Sequence, residues 1–393
     1  MTIFRTGDLV IAHNNVGSIL QVVDKEMDDT GRVVYKVDTK EYCYPEDLKP
    51  APHYFNEDGT ESADIKTIIV TGGAGYVGSL LVRKLLQNNY RVICIDNLRF
   101  GGASLIDICC HPQFWLENID INDFAEVDRV VEKSNCYGII HLAAIVGDPA
   151  CKLEPEVAAK TNWDSSIHLI DKALQSNIER FIFASTCSNY GKMSGASEYV
   201  DESSPLAPVS LYAELKVKVE DYLLNKIEKK HDFSPTCLRF ATVYGMSPRM
   251  RFDLTVNEFT KELALGRELL VFGEQFWRPY CHVSDFSRAM LTVLRQPKEK
   301  VAYNVFNVGD SLENYTKKMI VDELLKLMPK GRIKYIEKSE DPRDYRVNFD
   351  KIKDELGFLI SKKVPEGMEE ILRSIQNGVV DKPDREVFYN TPI

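Results

Sequence analysis

The stretch "SLYAELKVKVE", residues 210–220, has the composition of a helix and carries a tyrosine and a lysine that can act together. Helical side chains four residues apart are neighbours, so Tyr212 and Lys216 lie one above the other on a single face. A phenol normally loses its proton at about pH 10, and a nearby positive charge favours the phenolate. The pair therefore predicts a general base that works near neutral pH. A surface helix with a half-buried tyrosine and a solvated lysine would show the same spacing.

The composition limits the classes of function. The chain has 393 residues, a formal net charge of -10, 44% hydrophobic residues and nine cysteines, which fits two or three globular domains. The acidic balance argues against nucleic-acid binding. No apolar run approaches the roughly 20 residues that span a bilayer, and the start "MTIFRTGDLV" lacks the apolar core of a signal peptide. We expect a cytoplasmic protein without a membrane or nucleic-acid partner.

The cysteines do not form a metal-binding pattern. They are scattered, and the adjacent Cys109 and Cys110 have no matching Cys/His pair at metal-ligand spacing. We therefore expect reduced thiols and no metal site.

Residues 1–52 differ from the rest of the chain. Short β-rich runs alternate with Asn-Asn, Asp-Asp-Thr-Gly and Pro-Glu-Asp turns, which predicts a small all-β barrel. The pattern resembles SH3-like barrels, and we interpret it as a module that contacts another protein or the partner subunit. Residues 53–65 are polar and read as a linker.

From Lys66 onward, strand-like and helix-like segments alternate. "TIIVTGG" is a β-branched run, "SLLVRKLLQNN" is helical, and "RVICIDN" is a second strand. This alternation predicts an α/β fold, a Rossmann-type doubly wound parallel sheet. We assign 66–246 to a nucleotide-binding domain. Residues 247–393 form mainly a smaller substrate-binding domain, with some segments returning to the sheet.

A glycine-rich turn follows the first of these strands. "IIVTGGAGYVG" places Gly72, Gly75 and Gly78 between a strand and a helix, where a backbone can approach a diphosphate closely. Asp96 ends the next strand, about 20 residues downstream, where a carboxylate accepts both ribose hydroxyls and repels a 2′-phosphate. The cofactor is therefore predicted to be NAD rather than NADP, although Arg99 lies close in the sequence.

Several motifs, in this order and spacing, resemble one family. They are "TGGAGYVG", "DN" at 96–97, "DI" at 120–121, "HLAA" at 141–144, "STCSNYG" at 185–191, "YAELK" at 212–216 and "RPYCHVSD" at 278–285. From about Lys66 onward, the chain is identified as a member of the extended short-chain dehydrogenases/reductases, in the group of nucleotide-sugar epimerases and dehydratases.

The resemblance implies roles for individual residues. Tyr212 would be the acid/base, Lys216 its activating cation and ribose ligand, and Thr186 the hydroxyl that positions the substrate. His141 is interpreted as structural. The motifs assign to the cofactor Gly72, Gly75, Tyr76, Val77, Asp96, Asn97, Asp120, Ile121, Leu142, Ala143 and Ala144, together with Tyr212 and Lys216.

The residues after Thr186 bear on the reaction. In 4,6-dehydratases of this family, an Asp and a Glu follow the catalytic Thr, whereas this chain has Cys187 and Ser188, which are poor substitutes near neutral pH. Epimerisation at C4 through a transient keto-sugar requires only Thr186, Tyr212, Lys216 and NAD. The alternatives are a 4,6-dehydratase, a keto-sugar reductase or dehydrogenase, and a non-catalytic sensor of NAD or sugar nucleotides.

The expected substrate is a nucleotide-diphosphate sugar, whose phosphates need cations and hydrogen-bond donors. Besides Thr186, the candidates are Cys187, Ser188, Thr242, Arg249, Arg251 and Arg278. Arg343, in a displaced "RPGD"-like element, is left open. The family commonly dimerises through two helices from each subunit, one of which carries the catalytic Tyr, so we expect a homodimer.

The first prediction concerns cofactor choice. Because Asp96 sets a carboxylate against a 2′-phosphate, NADH is expected to bind more tightly than NADPH, and Asp96→Ala is expected to relax this preference. Parallel fluorescence titrations with the two cofactors measure it. NADPH binding to the unaltered protein as tightly as NADH would refute the assignment.

Overall fold

The computed structural model describes residues 65–192, 199–337 and 343–391, together with the backbone of five strands among the first 50 residues. Those strands are β1 (Leu9–Ala12), β2 (Ile19–Met27), β3 (Val33–Val37), β4 (Tyr42–Cys43) and β5 (Leu48–Pro50). They pair antiparallel in the order β4-β3-β2-β1-β5. The predicted closure into a barrel involves loops and side chains that lie outside the described residues. Almost all of the predicted linker also lies outside them.

The centre of the fold is a seven-stranded parallel sheet. Its strands, numbered in chain order, are β6 (Thr67–Thr71), β7 (Arg91–Ile95), β8 (Phe114–Glu117), β9 (Gly138–His141), β10 (Arg180–Thr186), β11 (Ser234–Phe240) and β15 (Asn304–Val308). In the spatial order β15-β11-β10-β9-β6-β7-β8, successive strands are added in one direction from β6 and in the opposite direction from β9. This topological switch point between β6 and β9 opens a crevice at the carboxyl ends of the strands. The predicted α/β Rossmann-like sheet is confirmed.

Helices cover both faces of this sheet. They are α1 (Gly78–Leu86), α2 (Phe124–Ser134), α5 (Ser165–Gln175), α6 (Leu211–Asp221), α8 (Val283–Arg295), α9 (Lys298–Val301) and α11 (Asp350–Leu356), while the short α3 (Asp148–Leu153) and α4 (Pro155–Ala159) pack against α6. Side chains of a strand alternate between faces, so Ile68 packs with Leu81 of α1, whereas Ile69 packs with Leu169 of α5. Burial on both faces explains why these strands read as continuous apolar runs.

The remaining strands and α-helices lie between residues 242 and 376. Strands β12 (Thr242–Tyr244), β14 (Trp277–His282) and β16 (Asn314–Thr316) form one small sheet, and β13 (Glu268–Phe272) pairs with β17 (Arg332–Ile336). Helices α7 (Thr255–Ala264), α10 (Lys317–Leu327) and α12 (Val364–Gln376) pack around a separate apolar cluster that includes Tyr244 and Met368. β15 also comes from this part of the sequence but belongs to the central sheet. Within the described ranges, no helix has the length and apolarity to cross a membrane.

A buried ion pair fixes α6 against the sheet. Glu220 of α6 accepts from Arg239 of β11, with Nη2 to Oε2 at 2.7 Å and Nε to the same oxygen at 3.1 Å. Both side chains are almost fully buried. The carboxylate also accepts from Ser185 and Asn189, so its lone pairs are satisfied by groups at the end of β10 and just beyond it. The pair therefore anchors the helix that carries Tyr212 and Lys216.

The second prediction follows from this burial. Glu220→Gln leaves the Arg239 guanidinium buried without its counter-charge, and is expected to lower the free energy of unfolding by about 3 kcal/mol or more. Urea denaturation measures the change. Glu369→Gln removes an exposed partner of Arg373 and serves as control, with an expected change of about 0.5 kcal/mol or less. Equal effects of the two variants would contradict the anchoring role.

Candidate active site

The carboxyl ends of the central strands open into a cavity of about 340 Å³. Most predicted site residues line it: Gly72, Gly75, Tyr76, Val77, Asp96, Leu142, Ala143, Ala144, Thr186, Ser188, Tyr212, Lys216, Thr242, Arg249 and Arg251. A smaller cavity of about 110 Å³ shares Asp96 with it and is lined by Asn97, Asp120 and Ile121. Cys187 and Arg278 line neither of these cavities.

The turn after β6 has a backbone that suits glycine. Gly72 has φ of +73°, and a Cβ there would lie 2.8 Å from the backbone nitrogen of Ala143. A Cβ at Gly78 would overlap the carbonyl oxygen of Gly72. α1 begins at Gly78, and the N–H groups of Ser79 and Leu81 in its first turn already donate to the carbonyl oxygens of Gly75 and Val77, so a diphosphate would use N–H groups of the turn that precedes Ser79. The turn fits a diphosphate, which needs a close backbone approach and N–H donors.

Asp96 directly follows β7, with both carboxylate oxygens held by the backbone. Oδ2 accepts from the N–H of Ala74 at 2.9 Å, and Oδ1 accepts from the N–H of Leu98 at 2.8 Å. Each oxygen has a second lone pair, so the carboxylate can still accept from two ribose hydroxyls. Arg99 does not counter this charge, because it forms an ion pair with Glu154 at 2.8 Å. These groups fit the adenosine ribose of NAD.

His141 orders the loop beside the cofactor turn. Its Nδ1 lies 2.7 Å from Thr71 Oγ1, and its Nε2 lies 2.9 Å from Ser166 Oγ. Thr71 Oγ1 accepts from the N–H groups of Leu142 and Ala143, so its own proton points to the imidazole. Burial lowers the pKa of His141 to about 3, which keeps the ring neutral. The geometry agrees with the structural interpretation of this histidine.

The amino end of α6 places the catalytic candidates. Ser210 Oγ accepts from the N–H of Ala213 at 3.4 Å, a helix cap that begins α6 one residue before Tyr212. Lys216 is buried, and its Nζ donates to the carbonyl oxygen of Ala184 at 2.7 Å. The same Nζ lies 5.9 Å from the centroid of the Tyr212 ring. The pair thus shares one face of the helix inside the cavity.

Thr186 reaches the same cavity from the end of β10. Its Oγ1 accepts from the N–H of Ser188 at 3.1 Å, which leaves the hydroxyl proton available to a ligand. A polar donor therefore faces the space beside Tyr212.

The electrostatics differ from the sequence expectation. Enclosure in the cavity raises the pKa of the Tyr212 phenol, and the charge of Arg251 only partly opposes this. Burial also lowers the pKa of the Lys216 ammonium, to about 8. The prediction of a lowered phenol pKa is therefore wrong for the protein without its cofactor. Helical spacing identified a cationic neighbour but not the desolvation, which has the larger effect.

Two predicted substrate residues have other surroundings. Cys187 is buried, its Sγ donates to the carbonyl oxygen of Arg239 at 3.2 Å, and burial raises the pKa of the thiol. Arg278 donates to the carbonyl oxygen of Trp277 at 2.6 Å, and its guanidinium carbon lies 5.3 Å from the ring centroid of Tyr345. Arg278 thus lies behind Tyr345 instead of lining the cavity.

Sequence reasoning missed Tyr345 and left Arg343 open. Both line the cavity. The Tyr345 hydroxyl donates to Ser188 Oγ at 3.4 Å, and Arg343 forms an ion pair with Asp148 at 2.8 Å. The displaced "RPGD"-like element was the available signal for Arg343. Tyr345 had none, because it reaches the site through a contact between segments 157 positions apart.

A dinucleotide turn, a ribose-binding carboxylate and a Tyr–Lys pair in one cavity define a nucleotide-dependent oxidoreductase type of site. The NAD dependent epimerase/dehydratase family matches residues 68–309. This is more than half of the chain, so the chain belongs to that family. The predicted NAD cofactor is confirmed at the level of this family.

Named relatives share most of the chain. A putative UDP-glucose 4-epimerase of Methanocaldococcus jannaschii is 27% identical, over 79% of this chain and 99% of its own length. A dTDP-glucose 4,6-dehydratase of Neisseria gonorrhoeae is 27% identical over 78% and 95%. The crystal structure of the UDP-glucose 4-epimerase of Thermotoga maritima with UDP-glucose superposes with a TM-score of 0.70 at 26% identity, covering 80% of this chain and 99% of that one.

The third prediction concerns Lys216. Since the pKa of its ammonium is about 8, the charge is present below that pH and is lost above it. Affinity for NADH, an anion, is therefore expected to fall as the pH rises through this value. Lys216→Met is expected to bind NADH about tenfold more weakly at neutral pH and to lose this step.

Fluorescence titration of NADH across this range measures the effect. Lys218→Met, an exposed position on the same helix, should behave like the unaltered protein. An unchanged pH dependence in Lys216→Met would assign the titration to another group.

Proposed function

We propose that the protein is an NAD-dependent nucleotide-sugar epimerase that inverts C4 of the sugar through a transient keto-sugar. The observation that carries this proposal is the composition of the cavity wall. Thr186, Tyr212 and Lys216 line it together, and Asp96 is the single carboxylate among the described residues that line the larger cavity. Asp96 is assigned to binding the ribose of the cofactor and is not available to the sugar. The chemistry available to the sugar is therefore proton transfer by a phenol and hydrogen bonding by hydroxyls.

The residues have complementary roles in this reaction. When bound, NAD⁺ supplies the hydride acceptor and a positive charge that favours the phenolate form of Tyr212. Tyr212 removes the proton of the C4 hydroxyl during oxidation and returns a proton during reduction. Thr186 donates a hydrogen bond to the same sugar oxygen. Lys216 keeps a cation behind Tyr212, held in place by the carbonyl oxygen of Ala184.

Dehydration is the main alternative, since one relative is a 4,6-dehydratase. Elimination of water needs an acid and a base beside the sugar. Cys187 is turned into the core with a raised thiol pKa, and Ser188 accepts a hydrogen bond from Tyr345. Neither replaces the two carboxylates, so epimerisation is favoured over dehydration. A net reductase or dehydrogenase differs only in releasing the altered cofactor.

The substrate's diphosphate and sugar require different contacts. Arg251 and Thr242 line the cavity and suit the phosphates. Arg278 would act indirectly, by supporting the ring of Tyr345. Ser188, Tyr345 and Arg343 then surround the sugar. Cys187 serves as a packing residue.

Three expectations accompany this proposal. The antiparallel pairing of the five amino-terminal strands supports an SH3-like barrel. We expect this module to contact a partner protein or the partner subunit. A homodimer through the face of α6 follows from the family resemblance. A cytoplasmic location would supply both NAD and nucleotide sugars.

The fourth prediction tests the reaction. Purified protein incubated with a panel of UDP-, dTDP- and GDP-hexoses is expected to give a product of unchanged mass, with no accumulation of NADH, when followed by mass spectrometry and NMR. Tyr212→Phe should lower turnover by about a hundredfold or more while NADH still binds. Tyr335→Phe, at an exposed position on β17, is the matched control.

Other products would overturn the proposal in distinguishable ways. Loss of one water molecule from the sugar would show a dehydratase. Stoichiometric consumption of NADH or NAD⁺ would show a net reductase or dehydrogenase. Near-normal rates in Tyr212→Phe would remove the catalytic assignment.

A further inference from the structure

Arg249 is a buried cation with unused hydrogen-bonding capacity in the large cavity. Its side chain lines the cavity, and the residue is 5% exposed. Among the residues that the structure describes, its Nε is buried without a hydrogen-bond partner. A buried, unpaired N–H of a charged group is costly unless a ligand satisfies it. The position therefore calls for an anionic ligand.

The surroundings of Arg249 belong to the cofactor half of the cavity. Its guanidinium carbon lies 4.0 Å from the ring centroid of Phe100, in the segment that follows β7 and Asp96. The charge of Asp96 acts on its guanidinium, behind the larger effects of Arg251 and Asp253, and the buried, uncharged phenol of Tyr76 is also a neighbour. Tyr76 belongs to the glycine-rich turn, so Arg249 faces the wall that receives a diphosphate.

Arg251, two residues further on, has a different environment. Its Nε and Nη2 donate to the carboxylate of Asp253 at 2.9 and 2.6 Å. Its charge acts on the Tyr212 phenol. The two arginines of one loop therefore differ in their partners. Arg251 is held by Asp253 and acts on the phenols of both Tyr212 and Tyr76, whereas the Nε of Arg249 has no hydrogen-bond partner among the described residues.

The end of the chain forms part of the same wall. Arg249 Nη2 donates to the carbonyl oxygen of Tyr389 at 3.2 Å, and Asn390 also lines the cavity. The N–H of Phe252 donates to the carbonyl oxygen of Phe388 at 2.9 Å, which holds this segment in place. Within the described part of the chain, Asn390 Oδ1 is buried without a hydrogen-bond partner.

We infer that Arg249 binds the diphosphate of NAD opposite the glycine-rich turn, and that Asn390 accepts a hydrogen bond from a neighbouring cofactor hydroxyl. Arg251 is then available to bind the diphosphate of the nucleotide sugar. The cofactor is then held by the sheet on one side and by the substrate loop and chain end on the other. Such enclosure suits a reaction in which the cofactor is regenerated in every turnover. The inference rests on NAD binding and not on which sugar carbon is inverted.

The test separates the two diphosphates. Arg249→Met, Arg251→Met and the exposed control Arg373→Met are compared in the full-length protein by NADH fluorescence titration and by NAD released from the purified protein. Arg249→Met is expected to weaken NADH binding about tenfold to a hundredfold, without raising KM for the sugar nucleotide at saturating NAD. Arg251→Met should raise that KM and leave NADH binding unchanged.

The opposite pattern, with normal NADH binding and a raised KM in Arg249→Met, would assign Arg249 to the sugar nucleotide and overturn the inference. Asn390→Asp tests the site without removing a buried cation. Its added carboxylate should weaken NADH binding severalfold, and added salt should reduce the effect. NADH binding to Asn390→Asp as tight as to the unaltered protein would exclude the chain end from the cofactor site, even if Arg249→Met failed to fold. NADH titration does not depend on the reaction catalysed, so this inference and the proposed epimerisation can fail separately.

Discussion

The buried ion pair between Glu220 and Arg239 is the interaction on which the active site depends. It joins α6 to β11. The Glu220 carboxylate also accepts hydrogen bonds from Ser185, at the end of β10, and from Asn189, in the turn that follows. Glu220 lies one helical turn beyond Lys216 on the same face, so fixing it also fixes the depth at which the lysine meets the sheet. A buried pair of this kind contributes little net stability compared with apolar packing, but it is costly to break and permits few alternative arrangements. The pair fixes the position of α6 on the sheet more than it stabilises the fold.

The charged side chains that line the cavity set the electrostatic character of the site. Among the described residues lining the large cavity, four are cationic, namely Lys216, Arg249, Arg251 and Arg343, against the single carboxylate of Asp96. A cavity with this balance is matched to ligands that carry phosphates, and the family's cofactor and substrates each contain a diphosphate. Burial makes a tyrosinate unfavourable in the protein alone, whereas Lys216, with a pKa of about 8, still carries its charge at neutral pH. The phenolate form of Tyr212 therefore depends on the charge of a bound ligand, and the proximity of Lys216 alone does not produce it.

Local sequence predicted those parts of the structure that depend on local geometry. The helix expected at 210–220 is observed at Leu211–Asp221, and the turn after β6 and the carboxylate at Asp96 lie where the motifs placed them. Contacts between distant segments could not be predicted in this way. Tyr345 reaches the cavity from a loop far along the chain, and Cys187 turns into the core although its neighbours Thr186 and Ser188 face the cavity. A tight turn directs successive side chains differently, and a motif does not reveal which one faces the ligand.

The turn that carries Thr186, Cys187 and Ser188 also bears on the proposed inversion of a sugar carbon. A keto-sugar must expose its other face to the hydride donor, so its ring has to move while the nucleotide stays bound. Strong contacts are therefore expected at the diphosphate and weak, neutral ones at the sugar. The proposed arrangement has this distribution, because Arg251 lies in the substrate loop, whereas Thr186, Ser188 and Tyr345 offer hydroxyls around the sugar and the charge of Arg343 there is paired with Asp148. A carboxylate at position 187 or 188 would bind the ring in one orientation and supply a base for elimination. With Cys187 turned away and Ser188 neutral, the proposed reaction would have the ring oriented chiefly by Tyr212 and Thr186, which would act on the one oxygen that both half-reactions share.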